Sequence, residues 1–128
     1  MPTIHPEYAV DLHLHTLASD GGWTVEALIE HLVERSFRIA AVCDHDTMAS
    51  LPRAVERAER FGLTIVPGVE VTTRWNGRQW HVLVYGIDPA SASARAFRAI
   101  LDELADRLWT VSVDAAITLE RHGYRVIH

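Results

Sequence analysis

The run Ala9-Val10-Asp11-Leu12-His13-Leu14-His15 decides how this chain is read. Side chains alternate across an extended strand, so Asp11, His13 and His15 share one face and Val10, Leu12 and Leu14 the other. One side is apolar; the other gathers a carboxylate and two imidazoles. A buried polar row of this kind needs partners, and a metal ion supplies them economically. Solvated residues on a surface strand are the alternative. The strand extends over roughly Ala9 to His13 or His15. The loop after it, Thr16 to Trp23, holds Ser19-Asp20-Gly21-Gly22, so Asp20 lies in a Gly-rich loop directly after the strand. By itself Ser-Asp-Gly-Gly reads as a turn.

Downstream, short apolar runs alternate with helical periodicity, the signature of βα units and a parallel sheet. Thr24 is placed to cap a helix carrying the stripe Val25, Leu28, Ile29, Leu32 and Val33. Ile39 to Cys43 is wholly apolar and suits a buried parallel strand. It runs into Asp44-His45-Asp46, and functional groups gather at such strand ends in α/β folds. His45 is therefore a candidate ligand. Asp44 is placed to orient it, and Asp46 reads equally as a ligand or a helix cap. A second helix is expected over Leu51 to Phe61, with Pro52 in its first turn and Gly62 just past its end. Leu63 to Val66 resumes strand character.

Val69 to Trp75 and Arg78 to Tyr85 flank Asn76-Gly77, which predicts a hairpin with a two-residue turn. Counting outward, Thr72 faces His81 and Glu70 faces Leu83. Glu70 and His81 then share a face as diagonal neighbours, roughly 7–8 Å apart at the backbone, within reach of a common ion. An exposed pair on an edge hairpin is the alternative. Phe97, Ile100, Leu101, Leu104, Leu108 and Val111 predict a long amphipathic helix. A separate one is expected over Ser112 to His122, closed by Gly123, with Tyr124 to Ile127 opening a further element. His31 is read as solvated, and His5, His122 and His128 as without a role. Trp75 and Trp80 are read as cross-strand packing and Cys43 as a small core residue.

The 128 residues are the size of one domain, and 48% are hydrophobic, enough for a packed core. A net charge of −5 gives no basic footprint for long duplex nucleic acid. A small anionic substrate stays open, because bound cations would add charge that the count omits. Eight histidines favour metal chemistry. The single cysteine excludes an intrachain disulfide and fits a cytoplasmic location. No signal peptide and no apolar run of about 18 residues is visible, so no membrane association is expected.

Asp11-Leu-His13-Leu-His15-Thr16, Ser19-Asp20-Gly21, Asp44-His45-Asp46-Thr47, Pro67-Gly68-Val69-Glu70 and His81 ahead of Tyr85-Gly86, taken in order, resemble the polymerase and histidinol phosphatase (PHP) superfamily. The resemblance covers about residues 9 to 88. It implies a distorted (β/α)₇ TIM-like barrel with two to three divalent ions at the C-terminal strand ends. His13 and His15 would bind one ion, and Glu70 would bridge it to a second that His81 also binds. Asp20 and His45 would hold a third. Mixed imidazole and carboxylate donors suit Mn²⁺ first, with Fe²⁺ or Zn²⁺ as alternatives.

An acid at position 20 and the Asp-His-Asp-Thr form of the second motif resemble the nucleotide and RNA phosphoesterase branch. The implied activity is hydrolysis of nucleoside 3′,5′-bisphosphates or short RNA 5′ ends by a metal-bridged hydroxide, with Asp20 also placed to protonate the leaving oxygen. A histidinol-phosphate phosphatase and a non-catalytic metal-binding module are the rival readings. The family's remaining ligands, a His or Cys and a late Asp-x-His pair, have no match after His81. Residues 1–128 are therefore expected to be a single PHP domain incomplete at its C-terminus, an α/β fold with the first parallel strands of the barrel plus the hairpin. Relatives in this branch also carry an Arg-rich helix beyond the hairpin that meets substrate; here that helix offers Arg95, Arg98 and Arg107.

Overall fold

Four strands and three helices make up the structure, a computed structural model that describes residues 9–88 and 91–126. They run in the order β1 (Ala9–Leu14), α1 (Val25–Glu34), β2 (Phe37–Val42), α2 (Leu51–Glu59), β3 (Thr64–Trp75), β4 (Arg78–Tyr85) and α3 (Ala92–Arg121). The strands lie side by side in chain order. β1, β2 and β3 pair in parallel, and β4 pairs antiparallel with β3. β1 and β4 are thus opposite edges, yet the Tyr85 hydroxyl on β4 donates to the Leu12 carbonyl on β1 at 2.7 Å. The sheet is curled far enough for its two edges to meet through one side chain, as the expected half of a barrel requires.

Local chemistry explains the helix ends. Thr24 Oγ accepts the Ala27 N–H at the start of α1, as expected. After α2 the Leu63 N–H closes back onto the Ala58 carbonyl at 3.2 Å across Gly62, whose φ of +67° side chains avoid. The helices cover one face of the sheet. Ile29, Leu32, Leu51, Ala54, Ala58 and Leu101 pack there against Ala40, Val42 and Val69 in one cluster. Each large side chain sequestered in this way contributes about 1.5–3 kcal/mol relative to exposure.

Several expectations change. The two expected strands on either side of Pro67-Gly68 are one twelve-residue strand. Its first part pairs with β2 as far as Val42↔Pro67, and from Gly68↔Tyr85 onward it pairs with β4. Pro67 lacks an N–H, but its carbonyl accepts from Gly86 at 2.8 Å, so the strand continues through it. The two expected C-terminal helices are also one, α3, of 30 residues. No Gly or Pro interrupts Ala92 to Arg121, and the Thr110 hydroxyl bonds back to the Asp106 carbonyl instead of opening a new cap. Only its first turns dock, through Ala94, Phe97 and Leu101, while Ile100, Leu108, Trp109 and Val111 stay exposed.

On β1, Leu14 packs against the core but Val10 and Leu12 remain open, because α1 lies over β2 and α2 over β3. Trp75 and Trp80 do not pack across the hairpin; they are exposed on its outer end. His31 is half-buried rather than solvated, its ring set edge-on against Trp23. His122 closes α3, its Nδ1 meeting the Thr118 carbonyl at 2.8 Å. No regular element follows through Val126; His5, Ile127 and His128 lie outside the described residues.

Gly68, midway along β3, packs tightly against the chain at the end of β2. A Cβ there would lie 2.6 Å from Cys43 Sγ. Gly68→Ala is expected to destabilise the fold by about 1–3 kcal/mol through overpacking. Adding Cys43→Ala should restore most of that in a urea-denaturation double-mutant cycle; simple additivity of the two would show that the sulfur is not the obstacle.

Candidate metal centre

The backbone past the end of β2 brings the candidate residues together. Residues 44–46 continue alongside β3: the Glu70 N–H donates to the Asp44 carbonyl at 3.3 Å, and the Asp46 N–H to the Glu70 carbonyl at 3.0 Å. His45 and Glu70 are thereby bridged in parallel. Asp46 adopts a φ of +55°, and its carboxylate accepts the Thr72 N–H at 2.6 Å. It neither caps α2 nor joins the donor cluster; it ties the loop to β3. The hairpin register is the expected one, Thr72↔His81 and Glu70↔Leu83, which makes Glu70 and His81 diagonal neighbours. Their side chains meet, His81 Nδ1 lying 3.2 Å from Glu70 Oε1.

The other Glu70 oxygen faces three more imidazoles. Oε2 lies 2.7 Å from His13 Nε2, 3.1 Å from His15 Nε2 and 3.6 Å from His45 Nε2. Asp20, exposed on its loop, reaches His15 Nδ1 at 3.1 Å with one oxygen and His45 Nε2 at 3.6 Å with the other. All six sequence candidates therefore converge. They form three overlapping groups with metal-holding geometry: His13–His15–Glu70, His15–Asp20–His45 and His45–Glu70–His81. Asp11 stands outside them, its Oδ1 accepting the His13 N–H at 3.1 Å.

Glu70 is 7% exposed. Burial opposes its ionisation, but the hydrogen bond from His13 and the nearby His45, His13 and His15 outweigh it and lower its pKa below the ordinary 4.5. Cys43 takes no part. Burial, reinforced by Glu70 and Asp44 and opposed by a hydrogen bond with Tyr85, pushes its thiol up to about 11. Such a thiol stays protonated and is a poor ligand at neutral pH.

Asp44 does not turn to the His45 ring, as the sequence suggested. It is buried, and accepts from the Thr16 N–H at 2.6 Å, the Thr16 hydroxyl at 2.8 Å, the Ser19 hydroxyl at 2.8 Å and the Ser50 hydroxyl. This one carboxylate holds the loop after β1, the end of β2 and the start of α2 together. Sequence reasoning missed Thr16, Ser19 and Ser50; hydroxyl residues near a buried acid were the available signal. Gly21 was seen only as a turn residue, yet a Cβ there would meet the His15 carbonyl at 2.4 Å, so the loop can fold back over the strand end only without a side chain. Arg98, on the first part of α3, lines a cavity of about 310 Å³ with Asp46, Thr47, Met48, Pro52 and Asp102; none of the six donors lines it.

The PHP domain family description matches residues 11–124. The chain is 44% identical over 96 residues to the 5′-3′ exoribonuclease Rnm of Salmonella typhimurium, covering 72% of this chain and 33% of that enzyme. It is 36% identical over 87 residues to the 3′,5′-nucleoside bisphosphate phosphatase of Chromobacterium violaceum, covering 68% of this chain and 30% of that enzyme. A solved structure of an amidohydrolase from Chromobacterium violaceum, with bound sulfate, superposes with a TM-score of 0.82 at 31% identity, over 91% of this chain and 40% of that one. The chain thus spans about a third of the length of these curated relatives.

Because the folded pKa of Glu70 is depressed, its ionised form stabilises the fold above the ordinary carboxylate value, and that contribution disappears as pH falls through the lowered one. Glu70→Gln should therefore flatten the acid side of the stability curve between these points. An unchanged acid limb, measured by urea midpoints in the metal-free chain, would contradict the assigned shift. Alkylation of Cys43 by iodoacetamide should be negligible at about pH 8 until the chain unfolds.

Proposed function

The chain belongs to the PHP domain family, and from that membership we propose that it carries the greater part of a multinuclear metal centre for hydrolysing phosphate esters. The observation that carries the reading is Glu70: one buried carboxylate whose two oxygens face four imidazoles contributed by β1 and the residue after it, the segment past β2, and β4. The donor chemistry fits divalent ions. Imidazole nitrogens and carboxylate oxygens are the ligands of Mn²⁺, Fe²⁺ and Zn²⁺ in hydrolytic sites, and no thiolate stands among them.

We assign His13, His15 and Glu70 to one ion, Glu70 and His81 to a second, and Asp20 and His45 to a third, with Mn²⁺ as the preferred metal. Bound ions of this kind supply charge to a phosphoryl group and lower the pKa of water towards 7. The protein's part is to hold them on a rigid strand-end platform, so that little reorganisation is needed when charge develops on the phosphate. Asp20 is 68% exposed at its side chain, the most open of the six, and is assigned to protonate a leaving oxygen when its carboxyl carries a proton instead of ligating an ion.

The named relatives support a nucleotide or RNA substrate: a nucleoside 3′,5′-bisphosphate or the 5′ end of a short RNA. Residues 1–128 are assigned to one incomplete PHP domain. Among the described residues no helix is long and apolar enough to cross a membrane. A cytoplasmic location is assigned from the single cysteine, which forms no intrachain disulfide.

The purified chain, with Mn²⁺ added, is expected to release phosphate from nucleoside 3′,5′-bisphosphates. His13→Ala and Glu70→Ala should each reduce that release, and retained metal, by about a hundredfold. Full activity in both variants would end the proposal. Metal analysis after dialysis separates an inert module from an enzyme: a chain retaining under one equivalent of Mn²⁺ would favour the former.

A further inference from the structure

His15 is the one imidazole with both ring nitrogens in the cluster: Nε2 faces Glu70 and Nδ1 faces Asp20. A neutral imidazole carries a proton on one nitrogen and a lone pair on the other, so only one of these atoms can bind an ion at a time. The hydrogen-bond partners decide which. Ser19 Oγ lies 2.8 Å from Asp44 Oδ1, 3.4 Å from Asp20 Oδ1 and 3.5 Å from His15 Nδ1. Serine has a single hydroxyl proton, and Asp44 Oδ1, which also receives the Thr16 N–H, stands towards it as an acceptor. The short contact to buried Asp44 takes that proton, because a charge-assisted bond at 2.8 Å outcompetes the longer contacts. The Ser19 lone pairs are then what His15 Nδ1 meets, alongside the Asp20 carboxylate at 3.1 Å. Both neighbours of Nδ1 are acceptors, whereas the one acceptor facing Nε2, Glu70 Oε2 at 3.1 Å, already takes the shorter 2.7 Å contact from His13.

We infer that the Asp44–Ser19 pair is a positioning device that holds His15 as its Nδ1–H tautomer, committing Nε2 to the ion shared with His13 and Glu70. Asp44 is itself locked by Thr16 and Ser50, so the orientation of Ser19 is set by buried bonds from three segments of the chain. When Asp20 turns its oxygens to an ion of its own, Ser19 remains as the acceptor for Nδ1–H. Partners of this kind fix the tautomer and ring orientation of ligating histidines, and their loss costs roughly 10- to 100-fold in metal affinity. Ser19 and Asp44 thus act through His15 without touching an ion or substrate. The consequence for Zn²⁺ rests on the metal-centre reading above; the tautomer does not.

The experiment uses the full chain, uniformly ¹⁵N-labelled and metal-free, above the usual imidazole titration range at about pH 8.5. Long-range proton–nitrogen correlation spectra identify the tautomer of each histidine. His15 is expected as Nδ1–H. Ser19→Ala should shift it towards Nε2–H and weaken Zn²⁺ binding, followed through the His15 ring nitrogens, about tenfold. Ser19→Thr, which keeps the hydroxyl, should restore both, with unchanged urea midpoints confirming that the fold is intact. A wild-type His15 in the Nε2–H form overturns the inference. So does a Ser19→Ala variant with unaltered tautomer and affinity. An Nδ1–H His15 that shifts in Ser19→Ala and binds no Zn²⁺ in the wild-type chain would instead sink the metal-centre reading and leave the tautomer assignment standing.

Discussion

Everything in this structure that bears on function depends on where one carboxylate is buried. Glu70 sits two residues past Gly68, where β3 exchanges its parallel partner β2 for its antiparallel partner β4. At that switch a single residue can look towards both halves of the sheet. Its neighbours on β2 have just run out of ladder, which brings His45 alongside; its diagonal neighbour on β4 is His81; and the curl of the sheet brings His13 and His15 across from β1. A buried carboxylate without partners would be costly. Here the partners are four imidazoles, of which His13, His45 and His15 lower its pKa despite the burial.

A second layer of buried bonds keeps that arrangement in place. Asp44 joins three chain segments through hydroxyl and amide donors, and Asp46 ties its loop to β3 through the Thr72 amide. Tyr85 holds β4 to β1. None of these residues belongs to the three donor groups. They determine instead how closely the donors approach, and donor spacing governs which ions are held and how tightly. On the opposite side of the sheet, α1, α2 and the first turns of α3 supply the apolar packing that keeps the strand ends rigid.

Most of the fold was legible because its signals are local. The caps at Thr24 and Gly62 and the Asn76-Gly77 turn each depend on a few adjacent residues whose conformational preferences decide the outcome. The errors came where a local signal was overridden or lacking. Pro67-Gly68 reads as a strand breaker, yet pairing on both sides carries the strand through it. Ser112 reads as a start for a new helix, yet with no Gly or Pro nearby the helix simply continues. The apolar residues along α3 read as a core stripe, but beyond Leu101 they meet nothing among the described residues.

Residue type and spacing brought out His13, His15, Glu70 and His81 as candidates, because strand alternation and hairpin register dictate which side chains share a face; Asp20 and His45 rested on their places after strand ends and on the family resemblance. Those rules are properties of the backbone and need no knowledge of what packs where. What they cannot give is the distance between faces of different strands. That Glu70 meets four imidazoles, that Asp44 serves the loop rather than the His45 ring, and that Ser19 stands between Asp44 and His15 all follow from sheet curl and loop path. These are set by contacts between residues far apart in the chain, and only the folded structure brings them together.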